Sequence, residues 1–106
     1  MRLLYLAALL AGVTSFAQAQ TEHRIVIKDH KFEPTEIKVA AGEKLKLIIE
    51  NQDRSAEEFE SYELNREKVV AGSSTIIVFV GPLAPGRYPF FGEFHIESAQ
   101  GALIAE

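Results

Sequence analysis

The chain has 106 residues, 47% of them hydrophobic and 25% charged, with a formal net charge of −4 at pH 7. That length supports one domain with one modest core, and the acidic balance argues against a nucleic-acid partner. The absence of cysteine excludes disulfide staples, thiolate metal centres and cysteine nucleophiles, and Met1 is the only methionine, so any metal site must use His, carboxylates, backbone or water.

The first twenty residues, MRLLYLAALLAGVTSFAQAQ, hold one basic residue (Arg2), an apolar run from Leu3 to Val13 and the small-x-small triplet Ala17-Gln18-Ala19. This is the pattern of a secretory signal peptide, which makes 1–19 a cleaved leader and 20–106 the mature domain. The apolar run is roughly half the ~20 residues a membrane-spanning helix needs. None of the acidic residues lies in the leader, so export leaves the chain more acidic still.

Beyond it the chain reads as short strands separated by turns. RIVIK (24–28) is a first strand, and DHKFEP interrupts it, because Pro34 cannot continue a central strand. TEIKV alternates Ile37 and Val39 with Glu36 and Lys38, and KLKLIIE (44–50) puts Leu45, Leu47 and Ile49 on one face. The polar stretch 51–65 carries only a weakly helical or irregular signal, with Phe59 as its one anchor to a core. REKVV, STIIVFV, the aromatic YPFFGEF and the closing GALIAE complete about seven strands, the pattern of an all-β Greek-key sandwich.

Three stretches carry candidate chemistry. If the chain stays extended through Glu93-Phe94-His95-Ile96-Glu97, the two glutamates and the histidine share one face. An imidazole between carboxylates suits copper(II), iron or zinc, although a polar strand end facing water reads the same way. His30 lies in the turn after the first strand, and sandwich loops at one pole converge, which would bring it towards His95. Glu57, Glu58, Glu60 and Glu63 crowd the polar stretch at a cost in like-charge repulsion unless a cation joins them. His23, just past the leader, reads as solvated and mobile. No nucleophile elbow, phosphate loop or sugar-cleaving cleft is discernible, so no complete catalytic constellation exists.

Taken together, DHKFEPTEIKVAAGEKLKLIIENQD, AEEFES, GPLAPGRYPFFGEFH and AQGALIAE resemble the small periplasmic cupredoxin-like proteins associated with bacterial iron-permease systems. The likeness spans about residues 24 to 106. It implies a cupredoxin-like sandwich, a periplasmic location and an accessory role in iron or copper handling. Of the blue-copper ligands, the second His matches His95, whereas the Cys falls on Gly92, the axial Met on Ala99, and the first His on Glu57 or Glu58; the following structural Gly matches Gly101. A blue-copper centre is therefore excluded. What the resemblance leaves is a site of His95, Glu93, Glu57, Glu58 and His30 for copper(II) or iron. It would serve iron delivery to a permease or other inner-membrane transporter, or oxidation of ferrous iron by bound copper. The alternative is a metal-free module, monomeric or weakly dimeric, that docks on a membrane transporter through its acidic loop.

Overall fold

The computed structural model describes residues 20–106, so the leader expected over 1–19 lies outside the described residues. Nine strands run in chain order: β1 (Thr21–Lys28), β2 (Lys31–Glu33), β3 (Glu36–Val39), β4 (Leu45–Asn51), β5 (Glu57–Ser61), β6 (Arg66–Val70), β7 (Thr75–Val80), β8 (Gly86–Gly92) and β9 (Gln100–Ala105). They form a four-stranded sheet ordered β2-β1-β4-β7 and a five-stranded sheet ordered β3-β9-β8-β5-β6. The pairs β1·β4 and β3·β9 are parallel, and the remaining pairs are antiparallel. This is the all-β sandwich expected from the strand pattern, with nine strands where about seven were expected.

Alternation decides which side chains enter the core. In β4 Leu45, Leu47, Ile49 and Asn51 are buried while their neighbours are only half-buried, as a pleated strand requires. Ile25 and Ile27 of β1 and Phe32 of β2 join them from the first sheet, facing Val39, Phe59, Val70, Phe90 and Leu103 from the second. Three phenylalanines meet across the gap: the Phe32 ring centroid lies 5.0 Å from that of Phe90 and 6.2 Å from that of Phe59, and Phe59 and Phe90 are 5.1 Å apart. Edge-on and tilted aromatic contacts at these separations add to simple area burial.

Two of the nine strands were not legible in the sequence. β2 is three residues long, too short for any periodicity, and it sits on the sheet edge where Pro34 just beyond it does no harm. The stretch around β5 is not irregular or helical but a strand whose buried face is Glu57, Phe59 and Ser61. Its inward polar residues conceal the apolar alternation. Ser61 satisfies itself by donating to the Pro89 carbonyl at 2.7 Å and accepting the Leu64 N–H at 3.1 Å.

Candidate metal site

The turn between β1 and β2 has two residues, Asp29 and His30, with φ of 53° and 57°. Paired left-handed residues are the tight hairpin connection that matches strand twist, and Asp and His tolerate that conformation better than most. The turn is clamped from below. Asp53 accepts the Asp29 N–H at 2.8 Å and the His30 N–H at 3.0 Å, and its own N–H donates to Asn51 Oδ1 at 3.0 Å. Asn51 is buried and donates through Nδ2 to the carbonyls of Ser55 (2.9 Å) and Val70 (3.2 Å). The His30 N–H, the strongest influence on it, holds the Asp53 carboxyl below its ordinary value. Asn51 and Asp53 thus fix the position of His30, a role the sequence reading did not assign.

On the opposite sheet the last inward residue of β5 at this pole is Glu57, only 1% exposed. A buried carboxyl needs partners, and Glu57 has three. Its Oε1 accepts the Glu58 N–H at 3.0 Å and the Phe94 N–H at 2.8 Å, and its Oε2 lies 2.6 Å from Nδ1 of His95. His95 closes a 3-10 turn (Glu93–His95) that follows β8, and its ring stacks on His30 with centroids 3.6 Å apart and planes within 12°. Ser98 ties the two turns together by donating to the His30 carbonyl at 2.6 Å, while the Ala99 N–H returns to the His95 carbonyl at 2.8 Å. Donor atoms of His30, Glu57 and His95 all lie within 4.8 Å of one another. Ligands at right angles on one ion, each about 2.1 Å from it, stand about 3 Å apart, so small shifts let this trio take a cation.

The structure separates the other expected ligands from this group. Because residues 93–95 turn instead of extending, Glu93, His95 and Glu97 do not share a face. The turn is needed to send the chain back from β8 to its antiparallel neighbour β9. Glu93 is drawn instead towards Glu60, whose carboxyl it helps to raise through a side-chain hydrogen bond. Glu58 faces the opposite side of β5 from Glu57, by strand alternation, and joins Glu60 and Glu67 on the outer sheet face. Its carboxyl is pushed up to about 7, first by a side-chain hydrogen bond with Glu67, then by desolvation and by the charges of Glu67, Glu60 and Glu93. His23, expected to be solvated, is half-buried, and its Nε2 has no partner among the described residues. It lies within β1 opposite Leu47, with that nitrogen sequestered from solvent.

A thiolate copper centre does not fit these residues. A Cβ at position 92 would stand 2.6 Å from Cδ and 2.8 Å from Oε1 of Glu57, and 2.7 Å from the Ala99 Cβ. The Glu57 carboxylate therefore occupies the space into which a side chain at 92 would point, and Ala99 supplies only a methyl where a thioether would be needed.

The fold is similar to that of auracyanin A, a "blue" copper protein from Chloroflexus aurantiacus, with a TM-score of 0.72 at 15% identity over 83% of this chain and 100% of that one. It is equally similar to the metal-binding domain of the Streptococcus pneumoniae D39 Cu(I)-exporting P-type ATPase, at 0.72 and 15% over 80% and 84%. Amicyanin from Paracoccus versutus gives 0.63 and 16% over 85% and 83%. A nearer relative in sequence is an uncharacterized protein of Rickettsia prowazekii (strain Madrid E), 48% identical over 83 residues, which are 78% of this chain and 66% of that protein. The model of the cupredoxin-like domain matches residues 1–105, and the chain belongs to that family.

Proposed function

We propose that the protein is an exported metal-binding cupredoxin that holds copper(II) or iron through His30, Glu57 and His95, as an accessory of iron or copper acquisition. The observation that carries this reading is the buried Glu57 carboxyl set against two stacked imidazoles at the pole of the sandwich. Two nitrogens and a hard oxygen suit a borderline divalent ion, and the lack of any sulfur ligand disfavours copper(I). The leader pattern of residues 1–19 supports export, and the resemblance to iron-permease accessory proteins supports a periplasmic role beside a transporter. Titration of the purified protein with copper(II), followed by EPR, tests the site. The expected signal is nitrogen-and-oxygen ligation without intense blue absorption. His95→Ala lowers affinity at least ~100-fold, whereas Glu58→Gln leaves it unchanged. Undiminished binding by His95→Ala would overturn the site, and competition with iron(II) ranks the two metals.

A further inference from the structure

A groove of about 650 Å³ crosses the outer face of the five-stranded sheet, lined by Tyr62, Pro89, Phe91, Ile96, Gln100 and the bare backbone of Gly101 among others. The Glu36–Arg87 ion pair, at 2.9 Å, adds two mutually neutralised charges to its lining. Tyr62 is 74% exposed and Ile96 50%, far more than apolar and aromatic side chains of a small domain need be. The Tyr62 ring leans on Phe91 with centroids 5.4 Å apart. On its other side Tyr62 lines a second depression of about 270 Å³, together with Glu60 and Glu67. It is thus a ridge between a largely apolar trough, which Glu93 also lines, and a polar depression lined by Glu60, Glu67 and Arg66.

The acidic side is not neutralised from within. Among the described residues no Lys or Arg pairs with Glu58, Glu60, Glu67 or Glu93. The two cations of β6 are turned elsewhere: Arg66 donates to the carbonyls of Leu64, Asn65 and Phe79, and Lys68 to that of Ile77. Glu60 is also the main reason the Tyr62 hydroxyl is held above its ordinary value.

We infer that this face is a docking surface for a partner protein segment in which basic side chains alternate with apolar or aromatic ones. The apolar groups would fill the trough along Phe91 and Ile96, and the cations would meet Glu93 within that trough and Glu60 and Glu67 across the Tyr62 ridge. Burial of aromatic area at the centre with charge pairing at the rim is the general anatomy of such interfaces. The inference does not depend on the metal reading, because none of these residues belongs to the His30–Glu57–His95 group.

The test uses the ¹⁵N-labelled protein and three capped pentapeptides: Lys-Phe-Lys-Leu-Lys, Glu-Phe-Glu-Leu-Glu and Lys-Ser-Lys-Ser-Lys. The first is expected to shift the amides of Tyr62, Phe91, Ile96 and Gln100, and the other two are not. Substituting Glu60→Gln together with Glu93→Gln should weaken the first peptide at least ~10-fold, as should Tyr62→Ala; Glu93 and Tyr62 are exposed and Glu60 half-buried, and the isosteric Gln and an unchanged amide spectrum away from the groove check that the fold is intact. Raising the salt from about 50 to about 500 mM should weaken it further. Equal response to the acidic peptide or to the serine-containing one overturns the proposal, as do shifts confined to the His95 pole. Saturation of these carboxylates by calcium or manganese with no peptide response would make the face a cation site instead.

Discussion

Glu57 shows how one residue can replace two. Its carboxyl fills the space above Gly92, accepts the backbone N–H groups of Glu58 and Phe94, and presents its remaining oxygen to His95. Glycine is required at 92 because even a methyl group collides with that carboxyl, not because of any unusual φ. Gly92→Ala is therefore expected to cost about 1–3 kcal/mol, an overpacking penalty, measured by urea unfolding. In a Glu57→Ala background the increment shrinks, leaving the contact with Ala99; equal increments in both backgrounds would show that Ala99 alone sets the limit. His95 stood out in the sequence because it matches the second ligand His of the family resemblance and has glutamates two positions to either side. The choice between Glu57 and Glu58 did not, because it depends on which parity of β5 faces inward.

Strand β5 and its neighbours divide the acidic residues between two faces of the sheet. Glu57 goes to the pole, while Glu58 and Glu60 stand on the outer face, with Glu60 opposite Glu67 across the β5–β6 ladder. Like charges placed directly opposite destabilise an antiparallel pair, and the raised carboxyl of Glu58 records that crowding. The sign follows from linkage. A carboxyl raised to about 7 in the folded state binds its proton more tightly there than in the unfolded chain, so the fold loses stability as pH rises from the ordinary carboxylate range through 7. Glu58→Gln removes that penalty. It should raise the Tm at pH 8, and the gain should shrink as pH falls and vanish by about pH 3, well below the ordinary glutamate value, where Glu58 is protonated in both states; a gain independent of pH would mean that charge is not its cause. Arg66 and Lys68, whose sequence positions give no hint of their targets, reach across to carbonyls of β7 and so cover the edge of the first sheet.

At the scale of the whole molecule, the pole that carries His30, Glu57 and His95 rests on the phenylalanine cluster. Phe59 lies two residues along β5 from Glu57, and Phe90 two residues before Gly92 on β8, so the faces that bear the site also bear the core. Phe90→Ala should cost about 3–5 kcal/mol of unfolding free energy, a large share of the roughly 5–15 kcal/mol typical of a domain. In the same variant the copper(II) affinity should fall, because the turn carrying His95 loses its support; unchanged affinity would show that the hydrogen bonds of the pole are sufficient alone. By itself the sequence determined what depends on periodicity and residue chemistry. The apolar strands announce a sandwich, and the missing sulfurs exclude a thiolate centre. His30 falls in a turn that a sandwich brings towards the end of the strand carrying His95. What the tertiary structure decided are matters of register and chain reversal. The inward parity of β5 selects Glu57 over Glu58. The 3-10 turn after β8 parts Glu93 from His95, and the Asp53 clamp sets His30 against its partner. Each of these depends on contacts between residues far apart in the chain, which local patterns of side chains do not encode.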